Sequence, residues 1–270
     1  MTQESKTRVM TMRDLGLSLP VGVPTPAGLD KGLGARTFSL REEKEIGRLR
    51  DKAGDASMAA TVNAVLTVLL TRFGDKDFTK LKEAERASAI SQAFIGDVYY
   101  AYILLRREAL GQEIAFTVRC PACRRSTANV MADLDDLDVR VVDAIGDASW
   151  EYELKVPIEV RSSVVRTLKM GPARWYAVES MPPQRGINVG AAKAAIIRAS
   201  ITGTDAANVV LTDDDLCSMS KRDVESVTKA IDANHVGPDM AVETVCPACG
   251  EDIRTSLDWS FESFFGMSSR

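Results

Sequence analysis

The tetrapeptide Cys-Pro-Ala-Cys occurs twice, at 120–123 and at 246–249, each time between two stretches that read as strands. No other feature limits the fold of this chain as sharply. The first copy follows Phe116-Thr117-Val118-Arg119 and continues through Thr127-Ala128-Asn129-Val130. The second follows Val242-Glu243-Thr244-Val245 and continues through Ile253-Arg254-Thr255-Ser256-Leu257. A Cys-x-x-Cys turn between two strands brings both sulfurs and the neighbouring backbone amides to one point, a knuckle. Two knuckles supply the four thiolates that tetrahedral Zn2+ takes in a closed structural site. The spacing therefore predicts one structural Zn2+ ion held by Cys120, Cys123, Cys246 and Cys249. Pairing the knuckles requires about 120 residues of chain to leave and return, which predicts an inserted region between them.

Other chemistries of a cysteine pair fit less well. Four cysteines buried in an apolar core would not be flanked by proline and charge. A redox dithiol sits where a strand passes into a helix whose N-terminus lowers the thiol pKa, whereas strand-like sequence lies on both sides of each pair here. Thiol oxidoreductase is accordingly the least favoured function. A catalytic zinc needs an open coordination position and a nearby base, and the deaminase pattern needs His-x-Glu upstream. The chain has one histidine, His235, followed by Val236 and Gly237. It reads as a helix-capping or surface residue, and as a metal ligand only if a cysteine is spared. Cys217, the fifth cysteine, reads as a small buried hydrophobe.

Charge bears on partners. With 34 basic and 38 acidic side chains the net charge is −4, which argues against a general phosphate-binding surface. Arg119, Arg124 and Arg125 gather at the first knuckle, but Glu251 and Asp252 follow the second, so a zinc-ribbon nucleic-acid adaptor is the second-ranked function. The run Asp133, Asp135, Asp136, Asp138 lacks the glycine and terminal glutamate of a calcium loop and reads as solvated charge. Asp213, Asp214 and Asp215 read as the acidic first turn of a helix. No phosphate-cradling loop, nucleophile elbow or paired carboxylates stand out, so neither catalysis nor a small-molecule substrate is expected. The N-terminus has no apolar segment behind its charges. The longest apolar stretch, 62–70, is broken by Asn63 and Thr67, so neither a secretory signal nor a membrane span is expected.

The remaining patterning predicts an α+β chain: a helical N-terminal part and a helical insertion around a small β zinc ribbon formed by the two distant hairpins. Residues 1–37, with Pro20, Pro24 and Pro26 among several glycines, read as an irregular arm. Residues 38–112 read as helical. Within them lie a charged helix over 40–52 and an amphipathic one through Met58, Val62, Val65, Leu66, Leu69 and Phe73, ended by Gly74-Asp75. A helical pattern over 83–110 follows, broken at Gly96-Asp97 with Asp97 as an N-cap, and closed by Gly111. Residues 113–138 and 240–270 form the ribbon module. Residues 139–239 form the inserted α+β region. It holds an alternating stretch through Tyr152, Leu154, Val156 and Val160, a helix over 191–201, and a helix capped by Ser220. At the C-terminal end Trp259, Phe261, Phe264 and Phe265 fall within seven residues. They either lock the ribbon to the core or form a partner-docking surface.

The order of these pieces resembles the baseplate hub assembly proteins of T-even-type phage tails and their relatives in other contractile-tailed phages. The matching features are the Pro/Gly-rich lead-in before Phe38-Ser39-Leu40-Arg41-Glu42-Glu43 and the helix around Asp97 and Arg106 that runs through Gly111 into the first knuckle. The short Asp133-Leu134-Asp135 segment, the helical middle, and Cys246-Pro247-Ala248-Cys249-Gly250 before the Phe264-Phe265 pair complete the match. Arg124 departs from the pattern, standing where a glycine usually follows the first knuckle. The resemblance implies a non-enzymatic role in building the central baseplate, as a structural component or a chaperone. The implied partners are tail and baseplate proteins. The implied location is the host cytoplasm during assembly, or the virion baseplate.

Overall fold

The computed structural model describes residues 6–53, 57–124, 126–161, 163–181 and 189–257, and it is a mixed α+β fold. The lead-in expected to be irregular is largely strand. It holds β1 (Arg8–Thr11), α1 (Met12–Leu15), β2 (Ser18–Thr25) and β3 (Gly28–Ala35). Pro20 and Pro24 are tolerated because β2 is an edge strand of its sheet, where a missing N–H removes no ladder bond on the open side, and Pro26 lies in the turn between β2 and β3. Pro20 still contributes its carbonyl, which accepts from Val142 N–H at 3.1 Å.

Next come α2 (Leu40–Ala53), α3 (Met58–Leu69), β4 (Leu70–Phe73) and β5 (Lys76–Asp77). Ser57 caps α3 by accepting from Ala60 N–H at 3.2 Å. Val62, Val65 and Leu66 are fully buried along the predicted face, each contributing roughly 1.5–3 kcal/mol. The helix was expected to run to Gly74, but it stops at Leu69. Phe73 keeps the apolar spacing of the helix, yet it is drawn into β4 by pairing opposite Leu33 of β3. The sheet runs β2-β3-β4-β5.

The helical pattern over 83–110 resolves into α4 (Glu83–Ser91) and α5 (Ile95–Leu110), divided at 92–94 rather than at Gly96-Asp97. Asp97 is not the N-cap, a position held by Phe94. It lies in the first turn, 1% exposed. Its two oxygens accept from Val21 N–H at 2.7 Å and Gly22 N–H at 2.9 Å, so the carboxylate fastens β2 to α5. Burial pushes its pKa up to about 6 against the pull of those two amides and of the Lys31 and Arg174 charges.

After α5 come β6 (Glu113–Arg119), β7 (Ser126–Asp133) and β8 (Asp138–Val141). The acidic segment between β7 and β8 is only partly solvated. Asp133 accepts from Asp135 N–H at 2.9 Å, while Asp135 pairs with Arg107 at 2.9 Å and Arg13 at 3.6 Å. β8 pairs with β1, so it belongs to the N-terminal body.

The insertion follows with β9 (Trp150–Val160), β10 (Ser163–Met170), α6 (Tyr176–Glu179), α7 (Val189–Ser200), β11 (Ile201–Thr204), α8 (Asp213–Cys217) and α9 (Lys221–Ala233). Between 150 and 231 it has its own core, built on Trp150, Leu154, Val165, Leu168, Ile197 and Val227. The register of β9 and β10 shifts between Val165 and Thr167. The freed Lys155 and Val156 amides of β9 donate to Asp223 at 2.9 and 3.2 Å, and Ser220 caps α9 as predicted, at 3.1 Å from Asp223 N–H. Trp175, by contrast, is buried in the N-terminal core, its Nε1–H donating to Asn63 Oδ1 at 2.7 Å. Cys217 was expected to be buried but is exposed, because it closes the short α8 on its solvent side.

The chain returns through β12 (Gly237–Pro238), which pairs with β8, then β13 (Ala241–Val245) and β14 (Asp252–Ser256). Gly96 of α5 and Gly237 of β12 meet backbone to backbone. A Cβ on Gly96 would stand 1.9 Å from Val236 O, and one on Gly237, whose φ is +126°, would stand 2.5 Å from the Gly96 Cα. Both flanking strands of the insertion, β8 and β12, thus lie in the β1-β8-β12 sheet of the N-terminal body. Among the described residues no helix is long and apolar enough to cross a membrane.

Candidate metal centre

Each knuckle is a turn closing a two-stranded antiparallel hairpin. The first joins β6 to β7, whose last pair is Arg119 with Ser126. The second joins β13 to β14, whose last pair is Val245 with Asp252. The turns share their internal bonding. Arg124 N–H donates to Cys120 O at 2.9 Å, and Gly250 N–H donates to Cys246 O at 2.8 Å. The residue after each second cysteine is left-handed, Arg124 at φ +57° and Gly250 at φ +75°. The first turn therefore takes the shape of the second without a glycine to relax it.

The hairpins bring Cys120, Cys123, Cys246 and Cys249 together, with all four sulfurs within 4.8 Å of one another. Across the knuckles, Cys120 Sγ lies 3.7 Å from Cys249 Sγ, and Cys123 Sγ lies 3.7 Å from Cys246 Sγ. Such separations are far too long for a disulfide, which needs about 2.05 Å. They match the edge of a tetrahedron with metal–sulfur bonds of about 2.3 Å, which is about 3.8 Å. The four residues lie close enough to bind one metal ion, and the donor set fits a thiophilic cation. Among the described residues this is the one group of three or more His, Cys, Asp or Glu side chains that converges in this way. His235 is not part of it. Its ring nitrogens face Asp232 O at 3.3 Å and Pro238 O at 3.4 Å, at the end of α9, as a capping role predicts.

The hairpins form separate two-stranded sheets. What they share is a small apolar cluster of Val118, Cys120, Cys246 and Ile253, with Cys123 packed against it. Cys120 and Cys246 are buried, Cys123 is half-buried, and Cys249 is exposed. Val118 and Ile253 were not singled out from sequence. The signal was there for Val118, since strand alternation puts it on the same side as Cys120, two residues on.

As free thiols the two cysteines of the second knuckle are shifted in opposite directions. The Ala248 N–H, with that of Cys249, holds Cys246 down to about 7. The Glu251 N–H favours the Cys249 thiolate too, but hydrogen bonding with Cys246, Cys123 and Cys120 pushes Cys249 up to about 12. A divalent cation bound here would favour the thiolates over the thiols. Neither pair is followed by a helix: β7 and β14 come next, so the helix N-terminus that activates a redox dithiol is missing from both knuckles.

Trp259, Phe261, Phe264 and Phe265 lie outside the described residues. The last described residue, Leu257, is buried in the N-terminal core and donates its N–H to Met240 O at 3.1 Å. Comparison with protein-family models, with curated proteins and with solved structures finds no match.

Proposed function

We propose that this chain is a non-enzymatic assembly protein of a contractile phage tail, acting at the baseplate hub, whose two distant hairpins are clamped by one structural Zn2+ ion. The observation that carries the zinc assignment is the pair of 3.7 Å cross-knuckle sulfur separations, one thiolate from each hairpin in each pair. Four thiolates around one tetrahedral ion would leave no open position, which is the mark of a structural rather than a catalytic site. The ion would supply cross-linking alone, with Cys120, Cys123, Cys246 and Cys249 as its holders. Such a site is worth on the order of 10 kcal/mol of folding free energy. The tail-assembly role is supported by the order of motifs along the chain, from the lead-in through the Asp97 helix to the two knuckles.

Two measurements test this reading. Metal analysis of the purified protein should give one zinc per chain, lost in Cys246→Ser. Affinity capture of the tagged protein from phage-infected cells should recover tail or baseplate proteins. A zinc-free protein with four freely reactive thiols would refute the metal assignment. Capture of no tail protein would refute the assembly role. Comparing those captures with mature particles separates a resident component from a chaperone.

A further inference from the structure

A cleft of about 980 Å3 lies between α2, α3 and α4, away from the cysteines, and its charges are unequally matched. Its three acids are engaged. Glu42 accepts from the Ser39 N–H at 3.2 Å. Glu45 pairs with Arg48 at 2.7 Å. Glu83 pairs with Arg48 at 2.6 Å and Lys52 at 2.9 Å. That leaves Arg36, Arg41, Lys44 and Arg86, all lining the cleft, with no carboxylate at ion-pair distance among the described residues. Arg36, Arg41 and Lys44 are exposed. Arg86 is anchored: its Nη1–H donates to Thr67 O at 2.9 Å, and its buried Nε–H has no acceptor.

The floor and edge of the cleft are apolar. Val68 is 7% exposed and Leu49 is half-buried, while Leu40 is 65% exposed at the rim. A leucine exposed alone on a surface needs no explanation. One standing beside an apolar floor and ringed by uncompensated positive charge has a use. We propose that this cleft docks an acidic peptide segment with apolar side chains, supplied by a partner protein. The apolar positions of the peptide would cover Leu40, Leu49 and Val68, and its carboxylates would meet Arg36, Arg41, Lys44 and the pre-positioned Arg86.

Nucleic acid fits the cleft less well. No aromatic side chain lines it, so bases have nothing to stack on. The chain's net charge of −4 repels a polyanion beyond the reach of the local patch. The proposal does not depend on the metal centre or on the tail-assembly role, because the cleft is lined by α2, α3, α4 and Arg36 of the segment before α2, and by no residue of either knuckle.

The test uses the full-length, metal-loaded protein and a fluorescein-labelled peptide of repeated Glu-Glu-Leu, followed by anisotropy. Saturable binding is expected at low salt, weakening as salt is added. Arg41→Glu and Lys44→Glu are exposed changes that should each weaken binding by roughly tenfold. Zinc content and melting temperature should stay those of the parent. A matched Lys-Lys-Leu peptide should not bind, and Cys246→Ser protein should retain the peptide affinity. Absence of saturable binding would overturn the proposal, as would binding indifferent to both charge reversals. Tighter binding of oligothymidylate, lost in the same variants, would reassign the cleft to nucleic acid and equally overturn it.

Discussion

Arg124 and Gly250 occupy the same place in two copies of one turn, and both are left-handed, at φ +57° and φ +75°. Only glycine adopts that conformation without steric cost; a side chain there raises the energy by about 1–2 kcal/mol. Arg124→Gly should therefore stabilise the first knuckle by about 1 kcal/mol, less the entropy glycine adds to the unfolded chain. Gly250→Ala should cost about the same. Denaturant midpoints of the metal-loaded variants measure both. Destabilisation by Arg124→Gly would show that the arginine side chain contributes something the turn geometry does not.

Removing the metal should loosen the hairpins and spare the rest. The hairpins share one small apolar cluster and no sheet, whereas the N-terminal body and the insertion each have a core. Chelation should raise amide hydrogen exchange across β6, β7, β13 and β14, leaving α3, α5 and α9 protected. Binding requires deprotonated thiols, so metal affinity should fall as pH falls. Uniform loss of protection would mean that the cores themselves depend on the ion.

Asp97 makes a pH signature of its own. A carboxyl whose folded pKa is raised, from 3.8 to about 6, leaves folding unpenalised below the lower value. Stability is then lost as pH rises towards the upper value. The full effect is about 3 kcal/mol, spread between those two pH values. Asp97→Asn orphans one of the Val21 and Gly22 amides and is destabilising, but it cannot ionise. Its deficit against the parent should therefore shrink between pH 4.5 and pH 7, as read from urea midpoints at each pH. A constant deficit would show that Asp97 ionises in the fold without cost.

Gly96→Ala should be among the most damaging single-methyl additions in this protein. Its Cβ would meet a carbonyl oxygen at 1.9 Å, and backbone has less room to give than a flexible side chain. A loss of about 3 kcal/mol, at the upper end for overpacking, is expected in thermal unfolding. A near-neutral result would require α5 and β12 to separate freely.

The metal centre was legible in the sequence because its signal is local: two cysteines, their spacing, and alternation on either side. The same holds for the Ser220 cap of α9 and for the strand pattern through Tyr152 and Leu154. What escaped depends on partners distant in the chain. Pro20 and Pro24 read as breakers because nothing local says that β2 is an edge. Phe73 kept helical spacing because only its pairing with Leu33 makes it a strand. Asp97 looked like a cap because the Val21 and Gly22 amides it serves lie about 75 residues away. The four unmatched cations of the α2 cleft were equally hidden, since their count means something only once Glu42, Glu45 and Glu83 are seen to be taken.

The return of the chain through β12 sets an order of events. Cys120 and Cys123 are made early and can fold with the N-terminal body. Their counterparts can reach them only after the whole insertion has been synthesised. Contacts of such long sequence separation form late. A polypeptide interrupted before Cys246 has two of the four thiols and cannot close the tetrahedron. An ion held by all four cysteines would therefore mark chains whose distant segments have been made and brought together.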